Sequence, residues 1–173
     1  MEISNSSINP SSIVNILTLR YDPSINPNLP KKTWKDFEPI DEPLNPISIE
    51  NSICNEIEKK LNSINEQEIS IALSGGVDSA LMLSLLRKTK PDVKINAISI
   101  KFANSIDETP AASKIAEKYD ADHHIIHLEN YLSELPKAIS IIKLPFWDLH
   151  WYYVVKKSQT LSKTLISGDG GDE

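Results

Sequence analysis

The sequence predicts an α/β fold in which a parallel sheet is covered by helices on both faces. From residue 48 onwards, apolar and β-prone segments alternate with segments of helical periodicity, at the spacing of strand–helix–strand units. The chain has 173 residues, 40% of them apolar and 24% charged, which is enough for the core of one such domain and not comfortably for two. We therefore expect one domain over residues 48–173, preceded by an arm of residues 1–46.

The N-terminal arm is predicted to be irregular. Residues 1–12 are rich in Ser and Asn and are expected to be disordered, whereas the apolar run 13–21 predicts one strand. Residues 22–46 contain six prolines, which exclude long helices and central strands. Residues 1–46 are therefore expected to form an arm and not an independent fold.

Helices and strands alternate after the arm. From Ser48 the apolar positions recur every three or four residues, which predicts an amphipathic helix. A strand at Ile69–Leu73 precedes a glycine turn and a helix that Pro91 ends. The other predicted elements are a strand at 93–100, a helix capped by Thr109 and Pro110 that runs to about Tyr119, a strand at 124–128, helices at 131–142 and 148–162, and a strand at 164–166.

The glycine turn after the first strand has the pattern of a phosphate-binding loop. Its sequence is Ser-Gly-Gly-Val-Asp-Ser, and a strand, turn and helix in this order direct backbone N–H groups and a positive helix end at an anion. Gly75 and Gly76 permit close approach of the backbone, while Ser74 and Ser79 add hydroxyl donors. The carboxylate of Asp78 would repel a phosphate unless a cation lay between them, which predicts Mg²⁺ bridging Asp78 and a polyphosphate.

A second glycine-rich segment, Ser-Gly-Asp-Gly-Gly-Asp-Glu, runs from Ser167 to Glu173. It offers backbone N–H groups for phosphate, Asp172 as a second Mg²⁺ ligand and Asp169 as a carboxylate near the reaction. By itself the segment could be a calcium-type loop or a solvated acidic turn, and the turn is the favoured interpretation. Both glycine segments directly follow predicted strands, and ligands bind at the carboxyl ends of parallel strands, so we expect both to face one crevice.

The first glycine turn lacks the Gly-Lys-Ser/Thr of a Walker P-loop. It resembles instead the pyrophosphate-binding loop of the ATP-pyrophosphatase (PP-loop) enzymes, which cleave ATP between its α and β phosphates. Together the two glycine segments resemble the synthetase domain of the asparagine synthetase family, which includes β-lactam-forming relatives. Further agreement comes from Asp107-Glu108, Ala112, Ala116, Asp122-His123-His124 and the segment 145–148. The resemblance covers about residues 48–173 and implies a Rossmann-like, adenine nucleotide alpha hydrolase-like fold.

The resemblance also implies a function, that of an ATP-dependent, AMP-forming asparagine synthase. The β-carboxylate of aspartate would be adenylated with release of pyrophosphate, and ammonia would then displace AMP. Asp78 and Asp172 would bind Mg²⁺, and Asp169 is the candidate for taking a proton from the attacking ammonia. The implied ATP-binding positions are the backbone of Leu73 and Ile100, each at a strand's carboxyl end, for adenosine, Ser74, Gly75, Gly76, Asp78 and Ser79 for the pyrophosphate moiety, and Ser167 and Gly168 as further contacts.

Two departures from the family pattern affect the expected partners. Glutamine-using members carry a cysteine directly after the initiator methionine, but Glu2 stands there and Cys54 is the single cysteine. We therefore expect ammonia to be free or to come from a separate glutaminase. The sequence also stops at Glu173, inside the usual continuation of the second motif. This predicts either a fragment that lacks a C-terminal half or a shortened form that is inactive.

Several other functions are weighed against this one. NAD and GMP synthetases share the first glycine segment but lack the second, and tRNA thiolation usually needs catalytic cysteines and a basic surface. A β-lactam synthetase-like enzyme and a truncated, inactive nucleotide-binding domain remain alternatives. The net charge of −6 and the presence of only two arginines argue against nucleic acid as the main partner. With no signal-peptide pattern and no membrane-length apolar run, we expect a cytoplasmic protein without membrane partners.

Histidines suggest a metal site and aromatic residues suggest a base-binding platform, but we give both groups a structural interpretation. His124 and His127 lie in a predicted strand, His123 directly precedes it, and no cysteine is nearby. We interpret the three as hydrogen-bonded side chains and not as metal ligands. The aromatic stripe that enters the last helix is interpreted as core and not as a base-binding platform. It consists of Trp147, Trp151, Tyr152 and Tyr153.

Overall fold

The computed structural model describes residues 9–19, 45–64, 66–103, 105–142 and 148–169. The chain divides into two compact units, one of residues 1–41 and 132–149 and the other of residues 42–131 and 150–173. Its elements in chain order are α1 (Pro10–Leu19), α2 (Pro46–Asn62), β1 (Glu68–Ala72), α3 (Val77–Thr89), β2 (Lys94–Phe102), α4 (Thr109–Lys118), β3 (Asp122–Leu128), α5 (Leu135–Ile142), α6 (Leu149–Ser158) and β4 (Leu165–Ile166). Among the described helices, none combines the length and the apolar character that a membrane crossing requires.

The four strands form a parallel sheet in the order β3-β2-β1-β4, which confirms the predicted fold class. Ile71 at the centre of the sheet lies opposite Ala97 on one side and Ile166 on the other, and Ala97 lies opposite His123. Each strand lies within two residues of its predicted bounds. Because all four strands are parallel, their carboxyl ends, and the turns that follow them, meet at one edge of the sheet.

One face of the sheet carries the apolar core. Side chains of β1 and β2 pack there against α2, α3 and α4, and Ile71, Leu83 and Leu86 have no exposed surface. Burial of each such side chain contributes about 1.5–3 kcal/mol, so this face supplies much of the stability of the second unit. Cys54 is partly buried against the same core.

The opposite face of the sheet contains buried polar side chains. Ser70 and Asn96 are fully buried, and both are hydrogen-bonded: Ser70 Oγ lies 2.7 Å from Ser162 Oγ, and Asn96 Oδ1 lies 3.0 Å from His124 Nε2. Buried polar groups need such partners, because an unmade hydrogen bond costs about 1–3 kcal/mol. The interpretation of His124 as a hydrogen-bonded side chain is thus confirmed.

The predicted strand at 13–21 is wrong over its described part, because α1 occupies residues 10–19. Asn9 precedes this helix, with its side chain accepting from the Ser11 N–H at 3.0 Å and its carbonyl from the Ser12 N–H at 3.0 Å. Pro10 takes the first helical position, where its fixed φ is favourable. These local start signals outweigh the β propensity of the apolar run. Residues 10–12, which were predicted to be disordered, also belong to α1, whereas residues 1–8 and 20–44 of the predicted arm lie outside the described residues.

The later helices begin and end differently from the predictions. The helix predicted at 131–142 begins only at Leu135, after turns, because Pro136 lacks an N–H and belongs in a first helical turn. The helix predicted at 148–162 ends at Ser158, whose carbonyl accepts from the Leu161 N–H in a tight turn at 2.8 Å. Trp147 and the predicted break around Pro145 lie outside the described residues.

Arg87, near the end of α3, connects the turns that precede β2 and β3. Its guanidinium donates to the carbonyls of Pro91 at 2.7 Å, Val93 at 2.9 Å, Tyr119 at 2.9 Å and Asp120 at 2.6 Å. Asp120 has a positive φ of 52°, a conformation that is unusual outside glycine. The four bonds to carbonyl oxygens fix this end of the sheet, opposite to the glycine turns.

The apolar face predicted for α2 is only partly covered. Ile57 and Leu61 are buried, whereas Ile49 and Ile64 keep 41% and 42% of their surface exposed. A groove of about 570 Å³ lies between this helix, Met82 of α3 and the edge strand β4. The groove is separate from the residues that the sequence predicts to bind a ligand.

Candidate functional site at the carboxyl ends of the strands

Two serines organise the turn between β1 and α3. Ser79, which is buried, accepts a hydrogen bond from the Ser74 N–H at 3.1 Å, and its Oγ lies 3.0 Å from Ser74 Oγ. Ser74 Oγ in turn accepts from the Gly76 N–H at 3.1 Å. The hydroxyls that the sequence suggested as ligand donors therefore close the turn on itself in this structure, which shapes it before any ligand binds.

The first turn of α3 presents backbone N–H groups without internal acceptors. The described part of the chain provides no hydrogen-bond acceptor for the N–H groups of Gly75, Val77, Asp78 and Ser79. The first intrahelical bond of this helix runs from the Ala80 N–H to the Gly76 carbonyl at 3.3 Å. Free N–H groups together with the positive end of the helix dipole favour an anion at this position.

Gly168, in the turn after β4, lies directly on the first turn of α3. A Cβ built on Gly168 would lie 3.0 Å from the backbone carbon of Asp78 and 3.0 Å from the nitrogen of Ser79. Only a residue without a side chain fits such an approach of two backbones. Ser167 precedes this contact, and β4 itself pairs with β1. The described start of the second glycine segment, residues 167–169, therefore faces the first segment, as expected from the sequence.

The turn after β1 also contacts the start of α4. A Cβ built on Gly75 would lie 3.3 Å from Ala111 Cβ and 3.6 Å from Glu108 Cβ. Thr109 is the first helical residue and not the cap that the sequence predicted, since Glu108 precedes the helix. The carboxylate of Asp107 accepts from the Thr109 hydroxyl at 2.7 Å and from its N–H at 3.0 Å, and these hydrogen bonds lower the pKa of Asp107. A negative charge thus already occupies the N-terminus of α4.

Leu73 and Ile100, the positions predicted for adenosine, differ in their backbone surroundings. The Leu73 N–H donates to the Ile98 carbonyl at 2.8 Å, and its own carbonyl accepts from Ser99 Oγ at 2.6 Å. Ile100 is not the last residue of its strand, since β2 continues to Phe102. It does lie beyond the last residue of β2 that pairs with β1, which is Ile98.

Three polar side chains behind Leu73 form a chain that the sequence did not predict. His123 Nε2 lies 2.7 Å from Ser99 Oγ, and His123 Nδ1 lies 2.8 Å from Ser113 Oγ. Burial, and secondarily the neighbouring His124, lowers the pKa of His123, which favours the neutral ring. Its interpretation as a hydrogen-bonded side chain is confirmed. A serine between two isoleucines of β2 was the available signal, but its partners lie on separate elements.

The candidate carboxylates are exposed. Asp78 lies in the first turn of α3, and no hydrogen bond or ion pair to its side chain occurs among the described residues. Asp169 is exposed next to Gly168, and Asp172 lies outside the described residues. Within the part of the chain that the structure describes, no three His, Cys, Asp or Glu side chains form a metal-binding cluster. The predicted pair of Mg²⁺ ligands is thus represented here by Asp78.

A parallel sheet with two facing glycine turns at its carboxyl edge defines an α/β protein of the adenine nucleotide alpha hydrolase-like, PP-loop class. The family model for asparagine synthase matches residues 59–173. The chain belongs to the asparagine synthase family, as its two glycine segments indicated.

Curated relatives agree with this assignment. A Methanocaldococcus jannaschii protein, provisionally named asparagine synthetase (glutamine-hydrolysing) 2, is 30% identical over 119 residues, which are 66% of this chain and 23% of that protein. The glutamine-hydrolysing asparagine synthetase of Rattus norvegicus is 28% identical over 133 residues, 69% of this chain and 23% of the rat protein. The chain thus spans about a quarter of the length of these relatives.

Solved structures share the fold at low identity. An NMN synthetase from Francisella tularensis has a TM-score of 0.56 and 21% identity, over 73% of this chain and 56% of that one. A glutamine-dependent NAD⁺ synthetase from Acinetobacter baumannii, solved in complex with ADP, has a TM-score of 0.56 and 13% identity, over 75% and 26% of the two chains. These likenesses establish the α/β architecture of the chain.

Proposed function

We propose that this chain binds Mg-ATP and acts in asparagine synthesis as an AMP-forming ligase of the PP-loop class. The observation that carries the proposal is the contact of Gly168 with the backbone of Asp78 and Ser79, because it brings the two family-specific glycine segments to one crevice. Membership of the asparagine synthase family supports the choice of reaction. In that reaction ATP adenylates the β-carboxylate of aspartate and releases pyrophosphate, after which ammonia displaces AMP.

The phosphates of ATP would be bound mainly by backbone groups. The N–H groups of Gly75, Val77 and Asp78 have no acceptor among the described residues and belong to a turn that Ser74 and Ser79 hold in place. Donors that are already oriented need no reorganisation when charge develops on a phosphate oxygen. Ser167 and Gly168 would contact the nucleotide from the opposite side of the crevice.

Asp78 fits the role of a magnesium ligand. Its exposed carboxylate has no cationic partner in the described part of the chain and lies in the same helical turn as the free N–H groups. Asp78 and Asp172 would hold the ion together. When bound, Mg²⁺ would neutralise negative charge on the phosphate oxygens of ATP.

Asp169 and Ile100 complete the proposed assignment. The exposed carboxylate of Asp169 follows Gly168 and would accept a proton from ammonia as the new C–N bond forms. The backbone of Ile100, beyond the end of β1, would bind the adenosine part, together with that of Leu73. Two predictions from the sequence are kept as predictions. One is that ammonia is free or comes from a separate glutaminase, and the other concerns a C-terminal half that would complete the site.

The test is the conversion of ATP to AMP by the purified chain with Mg²⁺, ammonium and candidate acceptors. We expect AMP and pyrophosphate to form in equal amounts and aspartate to stimulate their formation, with asparagine as the product. Asp78→Asn removes the charge but keeps the shape of the side chain, and it should abolish turnover. Asp92→Asn, at an exposed turn near the other end of the sheet, is the matched control and should leave turnover unchanged.

Three outcomes would replace this proposal with another. AMP release driven by deamido-NAD or xanthosine monophosphate, and not by aspartate, would assign the chain to a different PP-loop reaction. Stimulation by a β-amino carboxylate that cyclises would indicate a β-lactam synthetase-like enzyme. Tight Mg-ATP binding without any turnover would indicate a nucleotide-binding domain without catalytic activity.

A further inference from the structure

The ladder between β1 and β2 ends irregularly at the candidate site. In a parallel pair, a residue donates its N–H to one residue of the neighbouring strand and accepts at its carbonyl from the residue two positions further on. Leu73 donates to the Ile98 carbonyl at 2.8 Å, so the next bond of the ladder would run from the Ile100 N–H to the Leu73 carbonyl. That bond is not formed. Ser99 Oγ donates to the Leu73 carbonyl instead, at 2.6 Å.

The Ile100 N–H is consequently left open at the crevice. Residues two apart on a strand direct their backbone groups to the same side, so Ile100 points its N–H where Ile98 does, towards β1. Since β1 has ended, this N–H points past Leu73 and has no acceptor among the described residues. It is a free donor on β2, just beyond the end of β1, the strand that leads into the phosphate-binding turn.

The directions of three hydrogen bonds hold Ser99 in this orientation. The Leu73 carbonyl only accepts, so the Ser99 hydroxyl must donate to it and must accept from His123 Nε2–H. His123 is then the tautomer with a bare Nδ1, which accepts from the Ser113 hydroxyl at 2.8 Å. Ser99 is only 5% exposed, so neither water nor rotation of the hydroxyl readily replaces this arrangement.

We propose that Ser99, His123 and Ser113 are positioning residues that keep the Ile100 N–H available for a ring nitrogen of a purine base. None of the three side chains touches the nucleotide. They act through Leu73. Because the Ser99 hydroxyl occupies the Leu73 carbonyl, the Ile100 N–H does not form the ladder bond and stays free. The inference rests on the proposed binding of ATP and adds the residues that select the base over the phosphates alone.

Removal of the Ser99 hydroxyl has a specific structural consequence. In Ser99→Ala the Leu73 carbonyl, which is buried, loses its donor, and an unpaired buried carbonyl is costly. The Ile100 N–H is the nearest group that the ladder geometry offers as a replacement. The variant therefore folds with one more ladder bond and without the free donor.

The first experiment measures amide hydrogen exchange by NMR and needs no ligand. In the wild-type chain we expect the Ile100 amide to exchange much faster than those of Leu73 and Ile98, and in Ser99→Ala to become protected. The imidazole ¹⁵N shifts of His123 should report a proton on Nε2. A protected Ile100 amide in the wild type, or a proton on Nδ1 of neutral His123, would overturn the inference whether or not ATP binds.

The second experiment compares the affinities for Mg-ATP and for inorganic tripolyphosphate. Ser99→Ala should weaken Mg-ATP binding about tenfold, which is the upper range for one hydrogen bond, and leave tripolyphosphate binding unchanged. His123→Gln retains a donor near the Nε2 position and should preserve much of the affinity, whereas His123→Leu should resemble Ser99→Ala. Ser70→Ala, which removes another buried serine hydroxyl from the same sheet, is the matched control and should change neither affinity.

Different results would contradict the positioning role of Ser99 and the proposed binding of ATP. If Ser99→Ala weakens both ligands equally, or neither, the positioning role is wrong while nucleotide binding stands. If the wild-type chain binds neither ligand, the proposed function fails, and the role assigned to Ser99 in base binding fails with it. The exchange measurement then still decides whether the hydrogen-bond arrangement at Leu73 exists.

Discussion

The two glycine turns at the carboxyl edge of the sheet resemble each other in sequence but are built differently. In the turn after β1, Gly75 faces a side chain, Ala111 Cβ, and two serines hold the backbone through hydrogen bonds. In the turn after β4, Gly168 faces the backbone of Asp78 and Ser79. A side chain can shift by a few tenths of an ångström, whereas the backbone of a helical turn cannot without breaking its hydrogen bonds.

This difference separates two uses of glycine. At Gly75 the small residue allows a close approach that its neighbour can partly accommodate. At Gly168 it is a strict requirement, because the proximity of two chain segments depends on the missing side chain. The expected effects of substitution follow this order, from the second turn to the first.

Gly168→Ala should have the largest effect. Its Cβ would lie 3.0 Å from two backbone atoms, so the turn after β4 must move away from α3. We expect Mg-ATP affinity to fall by about 100-fold and the free energy of unfolding by about 1–3 kcal/mol, as for overpacking of a core. Calorimetric titration and urea denaturation measure the two quantities.

Gly76→Ala is the control for that substitution. Among the described residues the added Cβ meets only Ser74 Oγ, at 3.1 Å, and φ of −82° is accessible to alanine. If Gly76→Ala destabilised the fold more than Gly168→Ala, the distinction between backbone and side-chain contacts would be wrong.

Ser79→Ala should have the next largest effect on stability and confirm that hydrogen bonds hold the first turn. The buried Ser79 Oγ accepts from the Ser74 N–H, and its loss leaves that donor without a partner. We expect a loss of about 1–2 kcal/mol in urea denaturation. Ser74→Ala should cost less, since the Gly76 N–H that it frees is exposed to water. Equal costs would show that the burial of Ser79 does not set the size of the effect.

Gly75→Ala should cost about 1 kcal/mol and be open to compensation. The new Cβ would lie 3.3 Å from Ala111 Cβ, so Ala111→Gly in the same chain should relieve the contact. A double-mutant cycle in urea denaturation isolates the coupling from the intrinsic cost of glycine in α4. Additive effects would show that the contact carries no strain.

The smallest effect concerns pH and the histidines of β3. Burial lowers the pKa of both His123 and His124, so the unfolded chain binds more protons than the folded one below about pH 6.5. Stability should therefore fall as the pH drops from 7.5 to 5.5, and His123→Gln with His124→Gln should flatten this dependence. A decrease of equal size in the double variant would exclude these histidines as its source.

The fold could be predicted from the sequence because its strands are apolar, its helices are periodic and its turns contain glycine. The strand at 13–21 was mispredicted since propensity was given more weight than the Asn9-Pro10 start signal, which specifies α1. The parallel order also allowed both glycine turns to be placed at one edge of the sheet. Local sequence pattern was sufficient to predict a feature wherever the residues of a single element determine it.

The contacts within the site could not be predicted from local sequence pattern. Ser99, His123 and Ser113 belong to three different elements, and nothing in their sequence spacing indicates that one hydroxyl ends the ladder at Leu73. The role of Gly168 likewise depends on the distance between two turns that lie far apart in the chain. Such contacts follow from tertiary packing, which sequence periodicity does not report.

The carbonyl contacts of Arg87 bear on how a polyphosphate would be neutralised in the proposed complex. Among the described residues Arg87 is the one arginine. It lies near the end of α3, about 15 Å along the helix from the first turn, and donates to four carbonyls. That guanidinium would not be available to the phosphates, so among the described groups we expect the backbone dipoles of α3 and a bound cation to provide the positive field. Affinity for nucleotide should accordingly respond steeply to the concentration of free magnesium and only weakly to added monovalent salt.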